Sequence, residues 1–176
     1  PGAIVKFDSG VSLTVNSGGT LNAIGTRAQP IVFTSIKDDE HGGDTNEDGD
    51  RTYARYNDWK YITVAGKASF EHVMMMYGGG ASNTSESGML IGQSGGEITI
   101  NHCILAHALY DGIFSRATVT GENTIIYDCD RGVNTCGGTG VFKNCVVDSC
   151  RWGVMAEGGS GIYYNCIITR FFGSNA

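Results

Sequence analysis

The chain lacks several features that would classify it at a glance. No apolar run approaches the roughly 20 residues that cross a membrane as a helix, so membrane insertion is not expected. There is no basic excess either. The net charge is −6, which argues against a nucleic-acid-binding surface. Only two prolines are present, and the 27 glycines follow no Gly-X-Y period, which excludes collagen. No segment holds a helical apolar period over roughly 11 residues. The sequence begins at Pro1 in a strand-like segment, without an initiator Met or signal peptide. That reads as a processed or excised piece of a longer protein.

What charge there is lies unevenly. Residues 38–50 hold seven acids (Asp38, Asp39, Glu40, Asp44, Glu47, Asp48, Asp50) and no Lys or Arg. The remainder has eleven acids against twelve bases and is close to neutral. At 176 residues the chain is long enough for one domain, 1–176, with a sizeable core.

The strongest positive feature is a repeat with a period of 21 residues. His102, Asn123, Asn144 and Asn165 follow one another at that step. So do Cys103, Thr124, Cys145 and Cys166, then Leu105, Ile126, Val147 and Ile168, then Ala108, Cys129, Cys150 and Phe171. A fixed period of this length marks a solenoid. Phe70-Glu71-His72-Val73-Met74-Met75 fits the same template as Ile100-Asn101-His102-Cys103-Ile104-Leu105. Gly112, Gly132, Gly153 and Gly173 recur downstream at nearly the same step. Earlier strand-like runs are Ala3–Phe7, Ser12–Val15, Thr20–Ile24, Ile31–Thr34, Lys60–Val64 and Ala68–Met75. A polar stretch (38–58) and a Gly/Ser loop (78–88) interrupt them.

Three short strands and three bends per unit make one triangular turn of a coil. Successive turns stack as parallel strands about 4.8 Å apart. Asn suits the bend because it tolerates the left-handed conformation, and a column of Asn can bond from turn to turn. No hexapeptide period of a left-handed coil is present. The expected fold is therefore all-β, a right-handed parallel β-helix of about 21 residues per turn and roughly eight turns. The residues 38–58 form an acidic inserted loop.

Several segments sharpen this. They are Pro1-Gly2-Ala3-Ile4-Val5-Lys6-Phe7, Leu21-Asn22-Ala23-Ile24-Gly25-Thr26, Pro30-Ile31-Val32-Phe33-Thr34-Ser35, Gly42-Gly43-Asp44-Thr45-Asn46, Asp58-Trp59 and Tyr77-Gly78-Gly79-Gly80. Together they resemble bacterial secreted and surface proteins with right-handed parallel β-helix repeats. The resemblance implies the fold and a secreted or cell-surface setting. It implies no reaction, because that group is functionally mixed.

Candidate chemistry centres on Asp44-Thr45-Asn46-Glu47-Asp48-Gly49-Asp50. Oxygen ligands at alternate positions, with Gly at the sixth, match the first half of a calcium loop. Asp44, Asn46, Asp48 and Asp50 are the expected Ca²⁺ ligands. The twelfth position is Arg55 rather than a bidentate Glu, so further ligands are expected from Asp38, Asp39, Asp58 or water. The alternative is a solvated acidic loop. His72 and His102 stand where Asn stands elsewhere and read as bend residues. No Cys-x-x-Cys is present, and Cys145…Cys150 and Cys129…Cys136 lack paired zinc spacing, so no zinc site is expected. Five of the six Cys share repeat columns, which favours packed free thiols over disulfides.

Many β-helix proteins are polysaccharide lyases or glycoside hydrolases, and a hydrolase needs two carboxylates across one bond. Asp111 with Arg131 and Asp130 with Arg151 occupy equivalent positions one turn apart and read as charged outer surface. No catalytic residues stand out. Aromatics gather at Tyr53, Tyr56, Trp59 and Tyr61 and again at Trp152, Tyr163, Tyr164, Phe171 and Phe172. Half or more of these are expected to be packing residues.

The expected function is a non-catalytic extracellular module of a surface or adhesive protein with a structural calcium loop. One alternative is a carbohydrate-active module that binds or cleaves an acidic polysaccharide, with a cell-surface glycan as partner. Another is a unit that self-associates end to end. Neither end encodes an amphipathic or charged cap, so cover from further polypeptide or a second copy is expected.

Overall fold

The computed structural model describes residues 1–80 and 87–169. Those residues form nineteen strands and no helix. In chain order the first nine are β1 (Ile4–Phe7), β2 (Leu13–Val15), β3 (Thr20–Ile24), β4 (Ile31–Ser35), β5 (Ile62–Val64), β6 (Lys67–Glu71), β7 (Val73–Met76), β8 (Gly88–Gly92) and β9 (Glu97–Asn101). There follow β10 (Ile104–Ala106), β11 (Asp111–Ser115), β12 (Thr118–Glu122), β13 (Ile125–Tyr127), β14 (Arg131–Cys136) and β15 (Thr139–Lys143). The last are β16 (Val146–Asp148), β17 (Trp152–Glu157), β18 (Ser160–Tyr164) and β19 (Ile167–Ile168).

Each strand pairs in parallel with the strand three places further along. Three parallel sheets result, ordered β1-β4-β7-β10-β13-β16-β19, β2-β5-β8-β11-β14-β17 and β3-β6-β9-β12-β15-β18. This stacking is consistent with a β-helix solenoid. The three sheets hold six three-strand turns and the start of another, rather than the roughly eight expected. The reason lies in the first half. Ile104 pairs with Ile125 and Ile125 with Val146, the repeat step, but Leu13 pairs with Ile62 and Val32 with Met74. Inserted loops lengthen those early turns. The expected single strand Ala68–Met75 is two strands, separated by a corner at His72. Phe171, Phe172 and Gly173, together with the expected cover of the C-terminal turn, lie outside the described residues. So does most of the 78–88 loop.

The period of 21 survives because each column meets its like. Met75, Leu105, Ile126, Val147 and Ile168 lie in register, and the middle three have almost no exposed surface. Phe70, Ile98, Ile100, Val119 and Phe142 fill the third side of the core. The recurring glycine has a packing cause. A Cβ on Gly132 would come within 2.2 Å of the Val147 side chain and 2.6 Å of the Gly153 carbonyl. No side chain fits there.

The corners carry the sequence signature. His72, His102, Asn123, Asn144 and Asn165 all have φ between 49° and 52°, the left-handed region in which Asn and His are enriched. The Asn side chains form the expected ladder. Asn165 Nδ2 donates to Asn144 Oδ1 at 2.7 Å and Asn144 Nδ2 to Asn123 Oδ1 at 3.5 Å. Asn123 Nδ2 then donates to Asn101 Oδ1 at 3.1 Å rather than to His102. A second left-handed column, Tyr77, His107, Asp128 and Ser149, marks the next corner. Its residue types differ, so the sequence pattern hides it.

The residue after each left-handed corner explains the mixed Cys/Thr column. Cys145 Sγ donates to Lys143 O at 3.2 Å, Cys166 Sγ to Tyr164 O at 3.2 Å and Cys103 Sγ to Asn101 O at 3.3 Å. Thr124 Oγ1 makes the same bond to Glu122 O at 2.8 Å. At the second corner Cys129 and Cys150 donate likewise to Tyr127 O and Asp148 O. Six of these positions hold a small side chain that donates two residues back, while Val73 and Ala108 fill the same place without a donor. All six Cys are free thiols, as expected from the columns, and burial pushes the Cys103 thiol up to about 11.

Thr124 therefore offers a direct check. Its hydroxyl also accepts from Cys103 N at 3.3 Å, and the residue is fully buried. Thr124→Val is expected to lower stability by about 1–3 kcal/mol, because it leaves the Cys103 amide unpaired and removes one of the two bonds to Glu122 O. Thr124→Cys restores the column's donor and is expected to cost less. Urea denaturation midpoints of the two variants test this ranking.

Candidate functional site

The acidic insertion joins β4 to β5, and both of its ends are pinned to β4. Thr34 Oγ1 donates to Asp38 Oδ2 at 2.6 Å, and the same carboxylate meets His41 Nδ1 at 2.9 Å and accepts from Glu40 N at 3.2 Å. At the far end Asp58 accepts from Ser35 Oγ at 2.8 Å, Lys37 Nζ at 2.8 Å and Arg55 N at 2.9 Å. Next to it Trp59 is fully buried. Its ring stacks on Phe7 at 4.5 Å, and its Nε1 donates to Met76 O at 2.8 Å. Thr34 and Ser35 are the polar end of a strand with no exposed residue. A buried hydroxyl needs a partner, and the two aspartates supply it. Sequence reasoning missed these partners, since Ser35 and Asp58 lie 23 residues apart and no local pattern links them.

The middle of the loop is organised by carboxylates. Asp44 accepts from Asp48 N at 3.2 Å and from Gly49 N at 2.8 Å, with Glu47 and Gly49 in the left-handed region. Asp48 accepts from the Thr52 hydroxyl at 2.5 Å and from Asn46 Nδ2 at 2.8 Å. Asp39 comes in from the loop's start. One carboxylate oxygen from each of Asp39, Asp44 and Asp48 lies within 4.8 Å of the others. Asp39 Oδ1 and Asn46 Oδ1 are enclosed without a hydrogen-bond partner among the described residues. Enclosure, then the charges of Asp44, Asp48 and Asp50, push Asp39 above the usual carboxylate range, with Lys6 opposing. The Thr52 hydroxyl holds Asp48 below it.

Of the seven expected ligands, Asp39, Asp44 and Asp48 thus converge. Asn46 lies beside them through its bond to Asp48. Asp50 is absent from the cluster and lines an adjoining cavity. Asp38 and Asp58 are engaged as anchors of the loop. The cavity holds about 340 Å³ and is bounded by Asp38, Asp39, Glu40, Asp50, Tyr53 and Tyr77.

Tyr77 links this cavity to the second corner column. Its ring stacks on His107 at 5.0 Å, and Tyr127 meets His107 edge-on at 5.4 Å. His107 Nδ1 lies 2.7 Å from Asp128 Oδ2, which also accepts from Tyr56 Oη at 2.5 Å. Tyr56 therefore ties the acidic loop to a strand end 72 residues away. Burial and the bond to Asp128 raise the Tyr56 pKa well above its ordinary value. The other expected aromatics divide. Trp59 is core and Tyr163 stacks on Phe142 at 5.3 Å, while Tyr53, Trp152 and Tyr164 are exposed.

The pair Asp130–Arg151 is the exposed surface pair expected from the sequence, at 3.6 Å. Asp111–Arg131 is not. Asp111 has no exposed surface, its Oδ1 pairs with Arg131 Nε, and its Oδ2 has no hydrogen-bond partner among the described residues. Burial pushes Asp111 up to about 7, and the Arg131 guanidinium opposes the shift. The fold favours the protonated form. Its contribution to stability is complete below about pH 4 and lost as the pH rises through 7.

No family model, curated protein or solved structure matches the chain. The chemistry of the site is therefore read from its own residues.

Two outcomes follow from this geometry. Asp58→Ala strips partners from buried Ser35 and from Lys37, and is expected to cost about 1–3 kcal/mol in chemical denaturation. Asp44→Ala, in the exposed loop, is expected to cost less than about 0.5 kcal/mol in the absence of metal. Separately, Asp111→Asn should make the fall in stability between pH 4 and 7 shallower, by up to about 1.4 kcal/mol per pH unit. Parallel profiles for wild type and variant would show that Asp111 does not titrate there.

Proposed function

We propose that the chain is a non-catalytic module of a right-handed parallel β-helix, belonging to a secreted or cell-surface protein, in which the acidic loop holds a structural calcium ion. The hand follows from a general rule. Parallel strands of one sheet joined by a crossover are right-handed in nearly all proteins. The observation that carries the calcium reading is the convergence of Asp39, Asp44 and Asp48 beside two enclosed oxygens without donors. Carboxylates brought together repel unless a cation sits among them, and an all-oxygen set suits Ca²⁺. The Asp44 carboxylate taking the backbone N–H of Gly49 supports the turn such a loop uses. Calcium would then tie the middle of the insertion together, while Asp38, Asp58 and Tyr56 tie its flanks.

A second reading, a carbohydrate-binding module, is favoured by the cavity next to the loop. Tyr53 and Tyr77 flank it, and rings of this kind pack against sugar faces. Calcium there would bridge to an acidic polysaccharide.

Calorimetry with CaCl₂ tests the primary reading. One Ca²⁺ per chain is expected, with EDTA lowering the melting temperature. The double variant Asp44→Asn/Asp48→Asn should weaken binding at least 10-fold. Absence of binding, with a melting temperature indifferent to EDTA, leaves only an acidic loop. A glycan array run with and without Ca²⁺ tests the second reading, with calcium-dependent capture of uronic-acid polymers the expected signal.

A further inference from the structure

The first corner column runs His72, His102, Asn123, Asn144, Asn165, and only its first two members are imidazoles. The corner asks for a residue that tolerates the left-handed conformation. Asn meets that demand in the next three turns and adds the amide ladder. The ladder turns aside to Asn101, so neither imidazole takes part in it. The corner therefore explains a left-handed residue at positions 72 and 102, and leaves the choice of His unexplained.

The two rings lie face to face, centroids 4.8 Å apart and 21° from parallel. Their ring nitrogens hydrogen-bond to no described residue, and Glu71, beside them, forms no ion pair among the described residues. Its neighbours on the same sheet do find cations. Glu97 lies 2.9 Å from Lys67, and Glu122 lies 3.6 Å from Lys143. One ligand atom each from Glu71, His72 and His102 lies within 4.8 Å of the others. Two imidazoles and a carboxylate thus converge on one outer corner, none with a hydrogen-bond or ion-pair partner among the described residues.

We propose that Glu71, His72 and His102 form a binding site for a divalent transition-metal ion, zinc foremost. Two imidazole nitrogens and one carboxylate suit zinc, copper or nickel, whereas calcium takes oxygen ligands. This site is therefore chemically distinct from the acidic loop and independent of the calcium reading. Tetrahedral zinc with bonds of about 2.0–2.1 Å places its ligands about 3.4 Å apart, so the three groups close on the ion by side-chain rotation. The backbone supplies a fixed base, because His72 N donates to Asn101 O at 3.0 Å and His102 N to Glu122 O at 3.2 Å. His102 is exposed, which leaves the fourth position open to water or an external ligand.

The repeat itself supplies the control. Asn holds this corner in three other turns, so His72→Asn and His102→Asn preserve the bend while removing the ligand. Glu71→Gln removes the third ligand without touching a corner. Zinc titration by calorimetry is expected to show one ion per chain in the wild type. Each single variant should bind at least 10-fold more weakly, and His72→Asn/His102→Asn not detectably. Co²⁺ should give tetrahedral visible bands without the near-ultraviolet band of thiolate ligation. Ca²⁺ in excess should not displace the ion. No zinc binding by the wild type, equal binding by the double His variant, or a thiolate band would each overturn the proposal. So would loss of zinc from Asp44→Asn/Asp48→Asn with retention in the double His variant. Should the double His variant fail to fold, Glu71→Gln decides, since unchanged affinity there removes the site as drawn.

Discussion

The structure depends on one constraint, in-register parallel pairing between successive turns. Each strand must place its apolar residue directly over the equivalent residue of the turn before. The corners therefore have to turn the chain by the same amount every time. A left-handed residue at the corner does this, and φ at the five first-corner positions varies by only a few degrees. The backbone amide of that residue then reaches the carbonyl of the next turn, as from Asn123 N to Lys143 O and Asn144 N to Tyr164 O, both at 3.0 Å. Sheet hydrogen bonding thus continues around the bend, and no buried polar group is lost there.

The same constraint accounts for the unusual cysteine content. A sharp turn into the core leaves little room after the corner and presents a carbonyl two residues back. A thiol or a threonine hydroxyl fits that space and donates to that oxygen. The interchange of Cys103, Thr124, Cys145 and Cys166 at one position follows from this geometry. The sequence column is consistent with buried thiols. Its hydrogen-bond role appears only when the carbonyl is in view.

Legibility in the sequence divides along the same line. The three-strand unit, the first corner column and the apolar stacks repeat with like residues, so their period is plain. The second corner column uses Tyr77, His107, Asp128 and Ser149, which share a conformation but no chemistry, and it cannot be read as a column. A period of 21 overstates the number of turns, because the turns of the first half carry insertions. The candidate site was legible as composition, with Asp44 and Asp48 found by their spacing. The division of labour among the acids was not. Asp38 anchors the loop through nearby Thr34, while Asp58 does so through Ser35 and Lys37, 23 and 21 residues away, which no local pattern selects. The burial of Asp111 was missed for a similar reason, since register alone placed it beside Arg131 and said nothing of its depth.

A repeat also defines its own exceptions, and these locate chemistry better than the repeat does. Where a column holds one residue type for packing or turning, a departure that satisfies the same structural demand has no structural cause. Thr124 in a cysteine column is such a departure with a cause, since it makes the same hydrogen bond. His72 and His102 in the asparagine column turn the chain as Asn does but abandon the amide ladder. The inserted loop departs in length rather than type, and it gathers carboxylates that pairing between turns does not need. Both departures go beyond what pairing between turns requires, which is the pattern expected of functional positions. They differ in ligand chemistry, imidazole at the corner and carboxylate in the loop. Were both proposed sites filled, one fold would keep a borderline metal and a hard cation apart without any change to its core.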